Sequence, residues 1–116
     1  MNWKSYILLI VFLAVGGTTY AQEKPKPPKT RILFVFDASQ SMYAQWESGT
    51  KIDIAERLMN RMLDSLAQVP DPNFELALRV YGHQKPVPPQ DCSDTRLEVP
   101  FAPNNLKRIK LKLSQL

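Results

Sequence analysis

The segment RILFVFDASQSMY, residues 31–43, places five apolar residues directly before an aspartate and two serines. This run, residues 32–36, is short, continuous and rich in residues that favour β-structure, so it predicts a strand buried on both faces. The run stops at Asp37, and Ser39 and Ser41 follow at alternate positions. The sequence therefore presents one carboxylate and two hydroxyl groups at the end of a buried strand.

A helix and a second strand are predicted after this segment. Thr50 and Asp53 have the spacing of a capping box, and the apolar residues that follow recur every three or four positions until Pro70. Alternation of apolar and other residues from position 74 to 81 predicts a strand that Gly82 ends. The apolar face of the helix is predicted to comprise Ala55, Leu58, Met59, Met62, Leu63, Leu66 and Val69.

A long loop, a short strand and a final helix are predicted for the remaining residues. The loop 83–94 is polar and rich in proline. In TRLEVPF, residues 95–101, Pro100 lacks a backbone donor, so this strand suits only the edge of a sheet. Asn104 or Asn105 can cap the final helix. The apolar positions of that helix are Leu106, Ile109, Leu113 and Leu116.

The order strand, helix, strand, strand, helix predicts an α/β domain with a doubly wound, mostly parallel sheet. A strand, a crossover helix and a second strand form a right-handed unit in which the two strands are parallel. Ligands bind such sheets beyond the carboxyl ends of the strands. Asp37, Ser39 and Ser41 lie at that position, and alternate side chains in a tight turn can converge on one point.

Oxygen ligands at this spacing favour a hard divalent cation. A site that keeps several waters suits Mg²⁺ best, and Mn²⁺ or Ca²⁺ also take such ligands. Because two neutral hydroxyls compensate little of the metal's charge, the ion stays electrophilic and accepts a carboxylate from a protein or peptide partner. The formal net charge is only +4, and no basic cluster with interleaved aromatic residues is present, which argues against nucleic acid as the partner.

At these residues the sequence resembles a von Willebrand factor type A domain of an exported bacterial branch. DASQS is similar to the start of that family's metal-ion-dependent adhesion site, and FVFDASQSM, GTKIDIAERLM, LALRVYGH and DCSDTRLEVPF are similar to its successive strand, helix and hairpin blocks. The resemblance implies that Ser39 and Ser41 bind the metal directly and that Asp37 acts through bound water. It also implies a further threonine and aspartate ligand, both beyond Leu116.

Residues 31–116 are accordingly expected to be the amino-terminal part of a domain. A strand that is apolar on both faces usually has a neighbouring strand on each side. Only two more strands are predicted here, whereas sheets of this kind usually have roughly five to six. On this interpretation, the metal site is completed only by residues that this chain lacks.

The first 30 residues predict export to the periplasm or the extracellular space. Residues 1–21 have one charge, an apolar run and small residues at the end, which is the layout of a signal peptide cleaved before Gln22. The alternative is a membrane anchor, but the apolar run is shorter than the roughly 20 residues that span a bilayer. Residues 22–30, QEKPKPPKT, predict an extended linker. No membrane span is expected after cleavage.

Two other interpretations of the motif compete with a metal site. In the first, the chain is a structural remnant in which aspartate and serine simply form a turn. In the second, Asp37 is the nucleophile of a phosphotransfer enzyme, as in haloacid-dehalogenase-type phosphatases. Those enzymes need an acid two residues later, where this chain has Ser39, and no nucleophile-elbow frame surrounds the serines. We therefore expect a binding protein and not an enzyme.

Four residues outside the motif are further candidates. Tyr43 and Trp46 follow the metal motif and either contact a partner or cover the top of the helix. His83 follows the second strand and either touches a ligand or forms a local hydrogen bond. Cys92 is a single cysteine in an exported chain, and such an odd count suggests a missing partner. The family resemblance implies that this partner is a cysteine beyond Leu116, and the alternative is a free thiol.

Overall fold

The computed structural model describes residues 23–70 and 73–116, which form one three-stranded sheet, a short hairpin and two α-helices. The predicted order of strand, helix, strand, strand, helix is confirmed. The sequence did not predict the 3-10 turn between the first strand and the helix, or the short hairpin there whose two strands have two residues each. The elements are β1 (Thr30–Asp37), the 3-10 turn (Gln40–Tyr43), β2 (Gln45–Trp46), β3 (Gly49–Thr50), α1 (Lys51–Ala67), β4 (Phe74–Tyr81), β5 (Thr95–Ala102) and α2 (Leu106–Leu113).

The three-stranded sheet has the order β1-β4-β5. β1 and β4 are parallel and in continuous register from Thr30 opposite Phe74 to Asp37 opposite Tyr81, as a crossover helix requires. β5 runs antiparallel to β4 and lies at the edge, which is the position predicted from Pro100. The described sheet is therefore mixed, with one parallel and one antiparallel pair.

Both helices pack on one face of this sheet. Alternate side chains of each strand point to that face, and together with the inward stripes of α1 and α2 they form a single apolar cluster. An α/β class is thus confirmed, while helices on both faces, which a doubly wound sheet requires, are not seen in the described residues. The largest fully buried side chains are those of Leu63, Leu76, Leu78, Val80, Val99, Ile109 and Leu113.

The opposite face of the sheet is open to solvent over much of its area. Phe34 and Phe36 of β1 are buried, but Leu33 is 44% exposed and Val35 is 58% exposed. The prediction that β1 is buried on both faces is therefore wrong for the described residues, because no element among them covers the second face. The outer edge of β1 also has no neighbouring strand in the described sheet.

The helix α1 begins at the predicted position. Thr50 is the N-cap, and its hydroxyl oxygen accepts a hydrogen bond from the Asp53 backbone N–H at 3.3 Å, as in a capping box. Leu63 is buried in the core as predicted, whereas Leu58 and Met62 are largely exposed. The predicted apolar face was therefore too wide, since only the part of the stripe nearest the sheet is covered.

The segment before β1 has no regular structure from residue 23 to 29 and is exposed. Its end is held to the domain, because the Asn73 side chain donates to the carbonyl oxygens of Pro27 and Pro28 and Lys29 pairs with Glu75. The signal peptide and its cleavage site lie outside the described residues. Within residues 23–70 and 73–116, no helix is both long enough and apolar enough to cross a membrane.

Candidate metal centre

The candidate metal motif follows the carboxyl end of β1 and lies beside the carboxyl end of the parallel strand β4. Asp37 and Tyr81 are the last paired residues of the parallel ladder. Beyond them, the Ala38 N–H donates to the Tyr81 carbonyl oxygen at 3.0 Å, and Ala38 is buried. The motif turn therefore starts from a fixed backbone position at the edge where such sheets bind ligands.

The two serine hydroxyls of the motif lie side by side. Ser39 Oγ and Ser41 Oγ are 3.2 Å apart. The turn that brings them together is the 3-10 turn, in which the Met42 N–H donates to the Ser39 carbonyl oxygen at 2.9 Å. The predicted convergence of alternate side chains is thus present for these two residues.

The Asp37 carboxylate is oriented by the same turn. Its Oδ1 accepts a hydrogen bond from the Ser39 backbone N–H at 2.9 Å. Partial burial raises the pKa of Asp37, but hydrogen bonds from the Ser39 side chain and backbone and from the Tyr81 hydroxyl outweigh this effect and hold the pKa below its ordinary value. The same contact with Asp37 raises the pKa of Tyr81. Asp37 is therefore a carboxylate at neutral pH, and Tyr81 is a neutral phenol.

Gly82, which the sequence predicts only as the end of a strand, is also a residue of the site. Its φ is +77°, in the left-handed region that favours glycine. A Cβ atom on Gly82 would lie 2.7 Å from the Cα of Ser39, closer than real contacts allow. The absence of a side chain at Gly82 is what lets the β4 end approach the motif turn.

The loop 83–94 forms the second wall of a cavity that opens beside the two serines. The cavity has a volume of about 530 Å³, and the residues that line it include Ser39, Ser41, Tyr81 and Gly82. From the sequence, this loop is predicted only to be polar and proline-rich, and no role is predicted for most of its residues. Two sequence signals indicate a functional role for this loop. It is long, and it starts at the end of a strand that is expected to lie beside Asp37.

The spacing of the two serine oxygens is that of a hydrogen bond between their hydroxyls, and it is also compatible with two ligands of one divalent metal. Two adjacent ligands of an octahedral Mg²⁺ site, with metal–oxygen distances of about 2.0–2.1 Å, are about 2.9 Å apart, and in a Ca²⁺ site about 3.4 Å. The serine oxygens, 3.2 Å apart, lie between these values. Among the residues that the structure describes, no three His, Cys, Asp or Glu side chains are grouped closely enough to hold a metal.

The three predicted partner-contact residues do not line this cavity. Tyr43 is half exposed, and its hydroxyl donates to the Leu116 carbonyl oxygen at 3.3 Å. Trp46 is 55% exposed and lines a separate groove against the first turns of α1. His83 is mostly buried, and its Nε2 lies 2.7 Å from the carboxylate of Glu98. For His83, the structure therefore has the local hydrogen bond that was the alternative to ligand contact.

Glu98 is the centre of a cluster of charged and polar side chains to which His83 belongs. Its side chain is 6% exposed and also lies 3.0 Å from Lys112 Nζ. Burial raises the pKa of Glu98, but the contacts with His83, Lys112 and Arg96 outweigh it and keep the pKa below its ordinary value. This cluster connects β5 to α2 and is separate from the motif turn.

Cys92 lies in the loop 83–94 and lines the cavity that adjoins Ser39 and Ser41. It is exposed and is a free thiol in this chain. Its pairing with a cysteine beyond Leu116, which the family resemblance implies, stays a prediction.

Comparisons with known proteins do not assign this chain to a family. No protein-family model matches the sequence. No curated protein is similar enough to it to count as a relative. The functional proposal therefore depends on the residues and the geometry described above.

Proposed function

We propose that this protein is an exported binding module of the von Willebrand factor A type, which binds a protein or peptide carboxylate through a divalent metal, with Mg²⁺ the best fit. The observation that carries the proposal is the pair of serine hydroxyls 3.2 Å apart at the carboxyl end of β1, beside the ionised Asp37. The family resemblance of the motif adds support. No acid, base or nucleophile arrangement of an enzyme is part of this proposal.

Each residue of the motif has a distinct role in this proposal. Ser39 and Ser41 would hold the metal through their hydroxyl oxygens, and Asp37 would act through water and compensate one positive charge. Tyr81 and the Ser39 backbone hold the Asp37 carboxylate in place. When bound, the metal supplies an electrophilic centre for a carboxylate oxygen of the partner.

The proposal includes further ligands from outside the described residues. Mg²⁺ prefers six ligands in near-octahedral geometry and gives up its waters reluctantly, whereas this turn offers two neutral oxygens and one indirect carboxylate. A further segment that completes a doubly wound sheet would pack on the outer edge of β1 and on the open face near Leu33 and Val35. Such a segment would place its own strand end beside Asp37, because carboxyl ends of parallel strands share one edge.

The first test is the effect of Mg²⁺ on the melting temperature of the exported protein with the proposed further segment, since residues 22–116 alone offer too few ligands for tight binding. A ligand that binds only the folded state stabilises it by about 2.7 kcal/mol at 100 times its dissociation constant. We expect Mg²⁺ to raise the melting temperature and EDTA to reverse this, with no such response in the Ser39→Ala variant. An identical response in wild type and variant would favour a remnant without a working site.

A further inference from the structure

The face of the three-stranded sheet that the two described helices leave uncovered is apolar on all three strands. Alternate side chains of each strand point to this face, and the register places Val35 of β1 beside Arg79 of β4 and Arg79 beside Leu97 of β5. An exposed apolar surface of this extent marks a site of contact with another protein segment. The large apolar side chains on this face are 37–58% exposed and are those of Leu33, Val35, Tyr81, Leu97 and Phe101.

The charges at the amino-terminal end of this face are paired within the structure. Glu75 is buried and lies 2.9 Å from both Lys29 Nζ and Arg31 Nε. These two contacts hold the pKa of Glu75 below its ordinary value. Arg31 also lies over the ring of Phe101, 5.5 Å from its centroid. The Glu75 carboxylate is therefore satisfied, and the two cations remain hydrated because their side chains are more than half exposed.

Arg79 is the charged residue of this face that lacks a carboxylate partner. It lies on β4, the central strand of the sheet, and among the residues that the structure describes it forms no ion pair. Its Nη1 donates to Thr95 Oγ1 at 3.2 Å, whereas a guanidinium has five N–H donors. An element that covers the face removes water from Arg79, and a buried cation without a counter-charge costs free energy. The covering element therefore needs a carboxylate at this position.

An α-helix fits the shape of this face, and a second copy of the chain does not fit its charge. Crossover connections place helices on the faces of sheets that contain parallel strands, and a helix about 10 Å across covers about two strand spacings of roughly 4.8 Å. In a two-fold pair of copies stacked face to face on β4, each Arg79 would approach Arg79 of the other copy, and such like-charge contacts are unfavourable.

We infer that an amphipathic helix of the proposed further segment packs on this face, and that its apolar stripe contains one aspartate or glutamate that pairs with Arg79. The inference rests on the proposed function for the existence of that segment. It does not depend on a metal at the serines, so its test contains no metal, and its failure leaves the metal site to be judged by its own experiments.

The experiment selects a phage-displayed library of amphipathic helices against residues 22–116 in EDTA. The protein is attached to beads at low density, which keeps the copies apart, and the apolar stripe of the library contains one position drawn from glutamate, glutamine, lysine and leucine. We expect glutamate at this position to be enriched at least about tenfold over glutamine or lysine, a factor equal to about 1.4 kcal/mol. Arg79→Glu should reverse the preference to lysine. Arg57→Glu, at an exposed position of α1, is the matched control and should keep the preference for glutamate.

Two further variants locate the binding surface. Val35→Lys places a charge on the sheet face and should abolish the enrichment. Leu58→Lys changes an equally exposed apolar residue on α1 and should leave the enrichment unchanged, because both side chains are 58% exposed but only Val35 lies on this face. Binding that is lost in Leu58→Lys and kept in Val35→Lys would move the surface to α1 and overturn the inference.

The remaining outcomes also decide the inference. Absence of any enriched helix, or a preference for glutamate that survives Arg79→Glu, overturns it. If Arg79→Glu does not fold, Arg79→Gln should remove the preference for glutamate over glutamine, and a retained preference has the same meaning. A discrete dimer of residues 22–116 that the selected peptides dissociate makes a second copy the occupant. The selected peptides should not bind the exported protein with the further segment, because its own helix covers the face, and equal binding to both proteins contradicts this source of the helix.

Discussion

Gly82 lies so close to Ser39 that a Cβ atom at Gly82 would come within 2.7 Å of both the Cα and the Cβ of Ser39. These residues belong to different strand ends that are 43 positions apart in the chain. The contact packs the end of β4 against the motif turn, so the geometry of the two serines depends on a residue that is not one of the proposed metal ligands.

The first prediction concerns Gly82. We expect Gly82→Ala to lower the free energy of unfolding by about 1–3 kcal/mol, because it combines strain at positive φ with a backbone clash, and to weaken Mg²⁺ binding. Gly49→Ala is the matched control, since a Cβ there would meet only the Arg57 side chain at 3.9 Å. Urea unfolding of both variants measures the effect, and equal losses of stability would contradict this account.

The second prediction concerns the pKa of Asp37 and the loss of stability at acid pH. Because the folded pKa of Asp37 lies below its ordinary 3.8, this group stabilises the fold above about pH 3.8 and loses that contribution as pH falls through the folded value. Tyr81→Phe removes one interaction that lowers the pKa of Asp37, so the pKa should rise. Tyr43→Phe removes a hydroxyl that donates to the Leu116 carbonyl oxygen and should not change the pKa of Asp37. Carboxyl ¹³C NMR titration measures both values, and an unchanged Asp37 pKa in Tyr81→Phe would count against the contact.

The third prediction concerns the free edge of β1. We expect residues 22–116 to aggregate through this edge, since an uncovered apolar edge strand is a template for pairing with other chains. Val35→Lys places a charge on the exposed side and should reduce light scattering with little change in stability. The neighbouring Phe36→Lys should destabilise the fold by at least about 3 kcal/mol, because Phe36 is buried in the core. Aggregation that is the same in wild type and Val35→Lys would argue against the edge as its cause.

The fourth prediction concerns Cys92. In residues 22–116 the exposed thiol should react readily with a maleimide. In the exported protein with the proposed further segment, we expect Cys92 to resist labelling until a reductant is added, because it is paired with a second cysteine. Equal labelling before and after reduction would show that the thiol is free.

Local sequence signals predicted most of the elements of this fold. Thr50 and Asp53 marked the start of α1, alternation marked β4, and Pro100 placed β5 at an edge. These features depend on the backbone and side chains of a few neighbouring residues, so they can be inferred without knowing the tertiary structure.

Features that depend on tertiary contacts could not be inferred in the same way. An apolar side chain such as Val35 favours burial, but only the packing of other elements decides whether it is covered. The contact of Ser39 with Gly82, the pairing of His83 with Glu98 and the cavity wall formed by the loop 83–94 join residues that are distant in sequence or held by irregular backbone.

The measurement that tests the central claim most directly is calorimetric titration of Mg²⁺ into the exported protein with the proposed further segment and into its Ser39→Ala and Ser41→Ala variants. Ser65→Ala is a matched control, since its hydroxyl donates to the Arg61 carbonyl on the exposed side of α1. We expect wild type and Ser65→Ala to bind Mg²⁺, both motif variants to lose binding while their stability changes by no more than about 1.5 kcal/mol, the value of one hydrogen bond, and residues 22–116 alone to bind at about millimolar levels or not at all. Unchanged affinity in the two motif variants would contradict the metal site, and tight binding by residues 22–116 alone would contradict the need for further ligands.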